Sequence, residues 1–152
     1  MAIDHNATAA ASPDEPTVAG TPNCLARVPI RLRWRDLDAF AHVNNASFLT
    51  FLEEARLIWL TGIDGEWTGD SFKPVLAATN LNYRRQLIWP NEISVELYLQ
   101  RLGATSLTIA HRIVAADDKA LLYCDGNVVM VWIDPATGTS TALPAAVRRA
   151  CG

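Results

Sequence analysis

One apolar helical stripe in an otherwise strand-patterned chain limits what these 152 residues can build. Phe48, Phe51, Leu52, Ala55 and Trp59 recur at i, i+3, i+4, i+7 and i+11, the spacing of a single helix face. Gly62 stands as a stop signal, and Asn44, Asn45 and Ser47 are all available to cap the start. Before the stripe, Ile30, Leu32 and Trp34 alternate with Arg31, Arg33 and Arg35, the period of a half-buried strand. After it come four strand-like runs at about 75–89, 91–101, 104–116 and 119–134, parted by Trp89-Pro90-Asn91, Gly103 and Asp117-Asp118. A turn follows at Asp134-Pro135-Ala136-Thr137-Gly138, and residues 144–150 read as a short final helix. An amphipathic helix and a run of antiparallel strands each have one apolar face to bury. The simplest solution is α+β, with one helix packed on one sheet.

Charge narrows the partners. The chain carries 13 Lys+Arg and 16 Asp+Glu, a net charge of −3. All the excess lies in Asp4, Asp14 and Glu15, because the charges from Arg27 onward cancel. A neutral body with no basic stripe argues against a nucleic-acid binder. Charged residues make up 19%, below the usual ~25%, which fits a surface partly covered by a second subunit. Residues 1–22 are rich in Ala, Pro and Thr and lack aromatic residues, so they read as a disordered tail ahead of a single domain at 23–152. His5 in that tail reads as a solvated residue. Cys24, Cys124 and Cys151 show neither CxxC spacing nor an even count, so no disulfide frame or zinc knuckle is expected. No signal peptide and no apolar stretch of membrane-spanning length is visible, and a cytoplasmic protein without a membrane partner is expected.

Residues 36–47 carry the chemistry. Asp36 and Asp38 share a face if the chain is extended, His42 follows, and Asn44 and Asn45 open the apolar helix. A helix start offers unpaired N–H groups and a positive dipole end to a developing oxyanion. A carboxylate beside it can attack a carbonyl or deprotonate water, a combination that favours acyl transfer or hydrolysis. The plain structural reading competes: Asx residues before a helix cap it, Asp36 can pair with Arg33 or Arg35, and His42 can be a hydrogen-bonded loop residue. Glu53 and Glu54 read as solvent-facing, with Glu53 placed to support Arg56; His111 and Cys124 lie in strands without partner spacing and read as structural.

The run Arg33-Trp34-Arg35-Asp36-Leu37-Asp38-Ala39-Phe40-Ala41-His42-Val43-Asn44-Asn45, followed by Phe51-Leu52-Glu53-Glu54-Ala55-Arg56, resembles the hotdog-fold acyl-CoA thioesterases, and within them the 4-hydroxybenzoyl-CoA thioesterase-like family. Asn82-Tyr83-Arg84-Arg85-Gln86-Leu87, the 91–101 strand and Val131-Trp132-Ile133-Asp134 fit the same layout, so the resemblance covers roughly 25–150. It implies an antiparallel sheet of about five strands wrapped around one long helix, homodimers whose sheets join, often homotetramers, and sites at the subunit interface. It implies cleavage of an acyl-CoA or acyl-carrier-protein thioester, with Asp38 as nucleophile or general base and the backbone N–H near Asn45 as oxyanion donor. His42 and Asn44 fall at supporting positions. Ala41 stands where the family often has Gly, so a positive φ there would strain it. The resemblance implies no metal and no redox cofactor. Coenzyme A would be part of the substrate, with Arg101 a candidate for its phosphates. A hotdog module that binds acyl thioesters without cleaving them is the competing expectation; a dehydratase is weaker, because no second Asp/His pair appears downstream.

Overall fold

The computed structural model describes residues 23–152; the expected N-terminal tail lies outside the described residues. The elements run β1 (Cys24–Arg31), a short 3-10 turn (Trp34–Asp36), α1 (Asn45–Thr61), β2 (Lys73–Tyr83), β3 (Glu92–Leu102), β4 (Ser106–Ala115), β5 (Leu122–Ile133) and α2 (Ala145–Ala150). All five strands pair antiparallel in the order β1-β3-β4-β5-β2, and α1 lies against β1 and β3. This is the expected α+β hotdog arrangement, a long helix embraced by a five-stranded sheet.

Two expected boundaries shift. The first strand ends at Arg31 rather than Arg35, because the Asp36 carboxylate accepts the Arg33 N–H at 2.8 Å and curls residues 34–36 into the 3-10 turn. Asp36 and Asp38 therefore do not share a strand face. The second strand-like run stops at Tyr83, and the chain then crosses to β3 without sheet pairing.

The core forms where the helix stripe meets one face of the sheet. Phe48, Phe51, Leu52, Ala55 and Trp59 are all buried, as the periodicity predicts. Opposite them stand Ile93, Val95 and Leu97 of β3, Leu107, Ile109 and Ile113 of β4, and Val128, Met130 and Trp132 of β5. Each fully buried side chain of this size contributes about 1.5–3 kcal/mol relative to exposure. The long connection from α1 to β2 is pinned by the Trp132 indole N–H, which donates to the Trp67 carbonyl at 2.8 Å.

The other face of the sheet carries an alternating row of charge. Register places Arg27 beside Glu96, Glu96 beside Arg112, and Arg112 beside Asp125. Glu96, only 1% exposed, accepts from Arg27 and Arg112 at 3.3 Å each and from the Tyr98 hydroxyl at 2.7 Å. A carboxylate removed from water is tolerable here because two guanidinium groups and a hydroxyl replace its hydration.

Two polar side chains are buried in the core. Arg56 lies on the buried side of α1, where burial lowers its pKa, and it makes no ion pair with Glu53 among the described residues. His111 on β4 faces the same interior, and neither ring nitrogen has a hydrogen-bond partner among the described residues. Its neighbour across the ladder is Gly126, whose φ is +156°; a Cβ there would overlap the Asn80 carbonyl and sit 3.0 Å from His111 Nε2. Gly126 thus leaves the space that the imidazole fills. Burial first, then the positive field of Arg56, lowers the His111 pKa from 6.5 to about 4.

A histidine held neutral in the fold but free to protonate when unfolded makes acid destabilising. Its contribution is lost as pH falls from about 6.5 toward about 4. Urea unfolding is therefore expected to give ~2 kcal/mol less stability at pH 5 than at pH 7.5. The substitution His111→Leu should flatten that slope; an unchanged slope in the variant would show the titrating group to lie elsewhere.

Candidate active site

The loop between the 3-10 turn and α1 is built by hydrogen bonds within its own backbone and from its Asp36, Asp38 and Asn44 side chains. Asp36 is buried, and its carboxylate meets the Arg33 guanidinium twice, at 3.0 and 3.3 Å. Its carbonyl accepts the Asn44 N–H at 2.8 Å and the Ser47 hydroxyl at 3.3 Å. Asp36 is thereby consumed in holding the loop, which is the structural pairing with Arg33 anticipated above.

Asp38 is placed differently. Its N–H donates to the His42 carbonyl at 2.8 Å, and its carbonyl accepts the Ala41 N–H at 3.2 Å, so residues 38–42 close into a tight turn. Oδ1 accepts the N–H groups of Phe40 at 2.8 Å and His42 at 3.4 Å. Among the described residues no side chain pairs with this carboxylate, and Oδ2 has no partner. The turn forces Ala41 to φ 61°, the left-handed region that the alanine-for-glycine departure puts at issue. An L-residue there costs about 1–2 kcal/mol, offset by the turn's own hydrogen bonds.

At the helix start, Asn44 is the N-cap: its side-chain oxygen accepts the Ala46 N–H at 2.9 Å, and its carbonyl accepts the Ser47 N–H at 2.8 Å. Two of the orphan donors of the first turn are thus satisfied. The Asn45 N–H has no acceptor among the described residues.

These groups converge on a cavity of about 480 Å³ lined by Asp38, Phe40, His42, Val43, Asn45 and Phe48 on one side and by residues 83–87 on the other. The structure therefore brings together Asp38, His42 and Asn45 of the residues singled out from sequence. Asn44 stays behind the site as the cap. Arg101 is exposed near the end of β3 and is not part of this cavity. The arginines that line it are Arg84 and Arg85. Arg84 forks onto Asp125 through Nε at 2.9 Å and a terminal nitrogen at 3.0 Å. Arg85 is exposed, and its side chain makes no ion pair or hydrogen bond among the described residues. Tyr83 is another lining residue that spacing alone did not single out. Its hydroxyl donates to the Asn45 carbonyl at 3.0 Å, and burial raises its pKa. The Asn82-to-Leu87 stretch belongs to the family layout, but nothing in its local pattern says that it returns to the helix start.

The cavity thus borders one residue with an unpaired carboxylate oxygen, Asp38, and one with an unclaimed backbone donor, Asn45, beside the apolar Val43, Phe48 and Leu87. Residues 32–151 match the thioesterase-like superfamily. The long-chain acyl-CoA thioesterase FadM of Escherichia coli K12 is 32% identical over 121 residues, 78% of this chain and 91% of that protein. A solved Xanthomonas campestris structure, proposed to be an acyl-CoA thioesterase, shares 56% identity with a TM-score of 0.69 over 74% of this chain and 96% of that one. A thioesterase of Thermus thermophilus, solved with coenzyme A and zinc, shares 32% identity with a TM-score of 0.71 over 85% of this chain and 92% of that one. Matched from residue 32 to residue 151 and alike in fold to these solved thioesterases, this chain belongs to the thioesterase-like superfamily.

Proposed function

We propose that the protein hydrolyses an acyl-CoA thioester to the free acid and coenzyme A, with Asp38 and the Asn45 N–H as its working groups. The observation that carries this reading is that Asp38, with one oxygen unpaired, and Asn45, with its N–H unclaimed among the described residues, line one cavity. A thioester carbonyl held between them meets a carboxylate at carbon and a donor at oxygen. In the general-base route Asp38 takes a proton from water as the water oxygen bonds to the carbonyl carbon. The tetrahedral oxyanion accepts the Asn45 N–H, stabilised further by the positive end of α1. Collapse breaks the C–S bond, and the proton held on Asp38 passes to the departing thiolate. In the nucleophilic route Asp38 itself bonds to the carbonyl carbon, expels the thiolate, and water then hydrolyses the mixed anhydride. His42 and Asn44 shape the loop and cap the helix, and neither route asks their side chains to move a proton.

Arg85 replaces Arg101 as the residue proposed to meet the coenzyme phosphates, since it borders the cavity with its charge uncommitted. The free Cys24, Cys124 and Cys151 thiols fit the reducing cytoplasm expected from sequence. No helix among the described residues is long and apolar enough to cross a membrane. An acyl-carrier-protein thioester presents the same reacting group and is the alternative substrate.

Assembly follows from β2. Between Lys73 and Arg84 the strand carries no charge, and among the described residues it pairs only with β5. Its second edge therefore offers a free ladder, with Val75 and Leu76 39% and 50% exposed. A long uncharged edge of this kind invites pairing with another strand, and we assign its partner as β2 of a second copy.

Replacing Asp38 with Asn is expected to lower kcat at least ~100-fold with the fold retained, as thiol release from a panel of acyl-CoAs would show. Saturable ligand binding by the wild-type protein with no thiol release would instead favour the binding module. In a single turnover in ¹⁸O-water, label in Asp38 identifies the nucleophilic route with water attacking the Asp38 carbonyl carbon of the anhydride, whereas trapping of a covalent acyl-Asp38 by mass spectrometry separates that route from the general-base one when the label is in the product acid. Arg85→Gln should raise KM for acyl-CoA several-fold, blunt its dependence on salt and leave kcat near wild type. By light scattering the protein should run as a multiple of its 16.6 kDa chain, and Leu76→Lys should shift it toward the single-chain mass.

A further inference from the structure

We infer that Tyr83 is a positioning residue, one that sets the Asn45 N–H against Asp38; the inference rests on the thioesterase reading above. The two working groups ride on separate pieces of backbone. The carboxylate belongs to the turn at 38–42, and the donor belongs to the first turn of α1. Both pieces are held by the same short stretch, residues 83–87. The Leu87 carbonyl accepts the Val43 N–H at 2.7 Å and so secures the end of the Asp38 loop. The Tyr83 hydroxyl donates to the Asn45 carbonyl at 3.0 Å and so secures the helix start. Its ring also stands edge-on to Phe48, with centroids 5.2 Å apart and planes at 90°. Phe48 lies three residues beyond Asn45, on the same helical turn, so Tyr83 grips that turn at a carbonyl and at a ring.

The stretch that does the holding is itself fixed. The N–H groups of Arg84 and Arg85 both donate to the Tyr123 carbonyl, at 2.8 and 3.2 Å. The Arg84 guanidinium forks onto Asp125 on the far face of the sheet. Tyr83 therefore transmits the position of an anchored strand end to the helix N-terminus. A backbone donor stabilises an oxyanion only when it is already aimed at where that oxygen will be. The phenol of Tyr83 is occupied with a backbone carbonyl, so it acts on the reaction through the placement of Asn45.

The variant Tyr83→Phe keeps the ring, the cavity wall and the contact with Phe48, and deletes only the hydroxyl. Its kcat is expected to fall about three- to tenfold, the effect of one such hydrogen bond, with KM within about twofold of wild type. The Asn45 amide resonance in a ¹H–¹⁵N spectrum should move, while those of the buried strands β3 and β4 stay in place. Tyr83→Leu, which also loses the ring contact, should fall further. A wild-type kcat in Tyr83→Phe, or an unmoved Asn45 amide, overturns the inference. So does a loss confined to KM, which would make Tyr83 a substrate contact instead. Failure of the wild-type protein to release thiol from any acyl-CoA would count against the thioesterase reading, whereas active wild type with an indifferent Tyr83→Phe counts against Tyr83 alone.

Discussion

The apolar face of α1 has to be covered, and the whole molecule is arranged around covering it. A 17-residue helix with Phe48, Phe51, Leu52, Ala55 and Trp59 on one side has no stability of its own in water and gains it by burial. An antiparallel sheet supplies the matching apolar face, and its twist lets five strands curve around a single helix. Once the helix is seated there, its N-terminus is fixed in space relative to β1 on one side and to the end of β2 on the other. The first turn of a helix is the part whose N–H donors are left for other uses, and here that turn borders the same cavity as the Asp38 loop.

Within the loop before α1, two aspartates of the same type have opposite fates. Asp36 is buried, pairs with Arg33 and takes up the Asn44 N–H and the Ser47 hydroxyl through its carbonyl. Asp38, two residues later, is held by N–H groups of its own turn, keeps one oxygen without a partner among the described residues, and lines the cavity. The first builds the frame and the second is presented by it. The left-handed Ala41 is the local cost of that presentation, since the turn at 38–42 closes only if residue 41 adopts positive φ.

The interior also holds groups that weaken the fold under acid. His111 and Arg56 face the same core from opposite elements, and burial together with the guanidinium field disfavours protonation of the imidazole. Gly126 makes the space, so the histidine, the arginine and the glycine form a single packing solution across α1, β4 and β5. Stability in this protein is therefore expected to follow pH through a histidine in the core.

How much of this was legible in the chain depends on whether the signal was local. The helix stripe was, and every one of its five residues is buried. The strands were legible in number and direction, but β1 and β2 each end earlier than their hydrophobic alternation implies, because Asp36 and the turn after Tyr83 redirect the backbone. His111 is structural, as its strand position implies, but the burial of Arg56 is not legible in a single sequence, which does not say which side of an element meets the core when a polar residue falls on it. The motif at 36–45 pointed to the carboxylate and to the helix-start donor. Arg101, just before Gly103 near the end of a strand, lies outside the cavity, and only folding shows that Arg85 borders it with no side-chain partner among the described residues. Sequence by itself determined the helix, the antiparallel sheet and the presence of a carboxylate ahead of a helix start, because periodicity and capping act between residues a few positions apart. The tertiary structure alone decided which aspartate is free and that Tyr83 returns to grip the helix, because those contacts join residues far apart in the chain that only packing brings together.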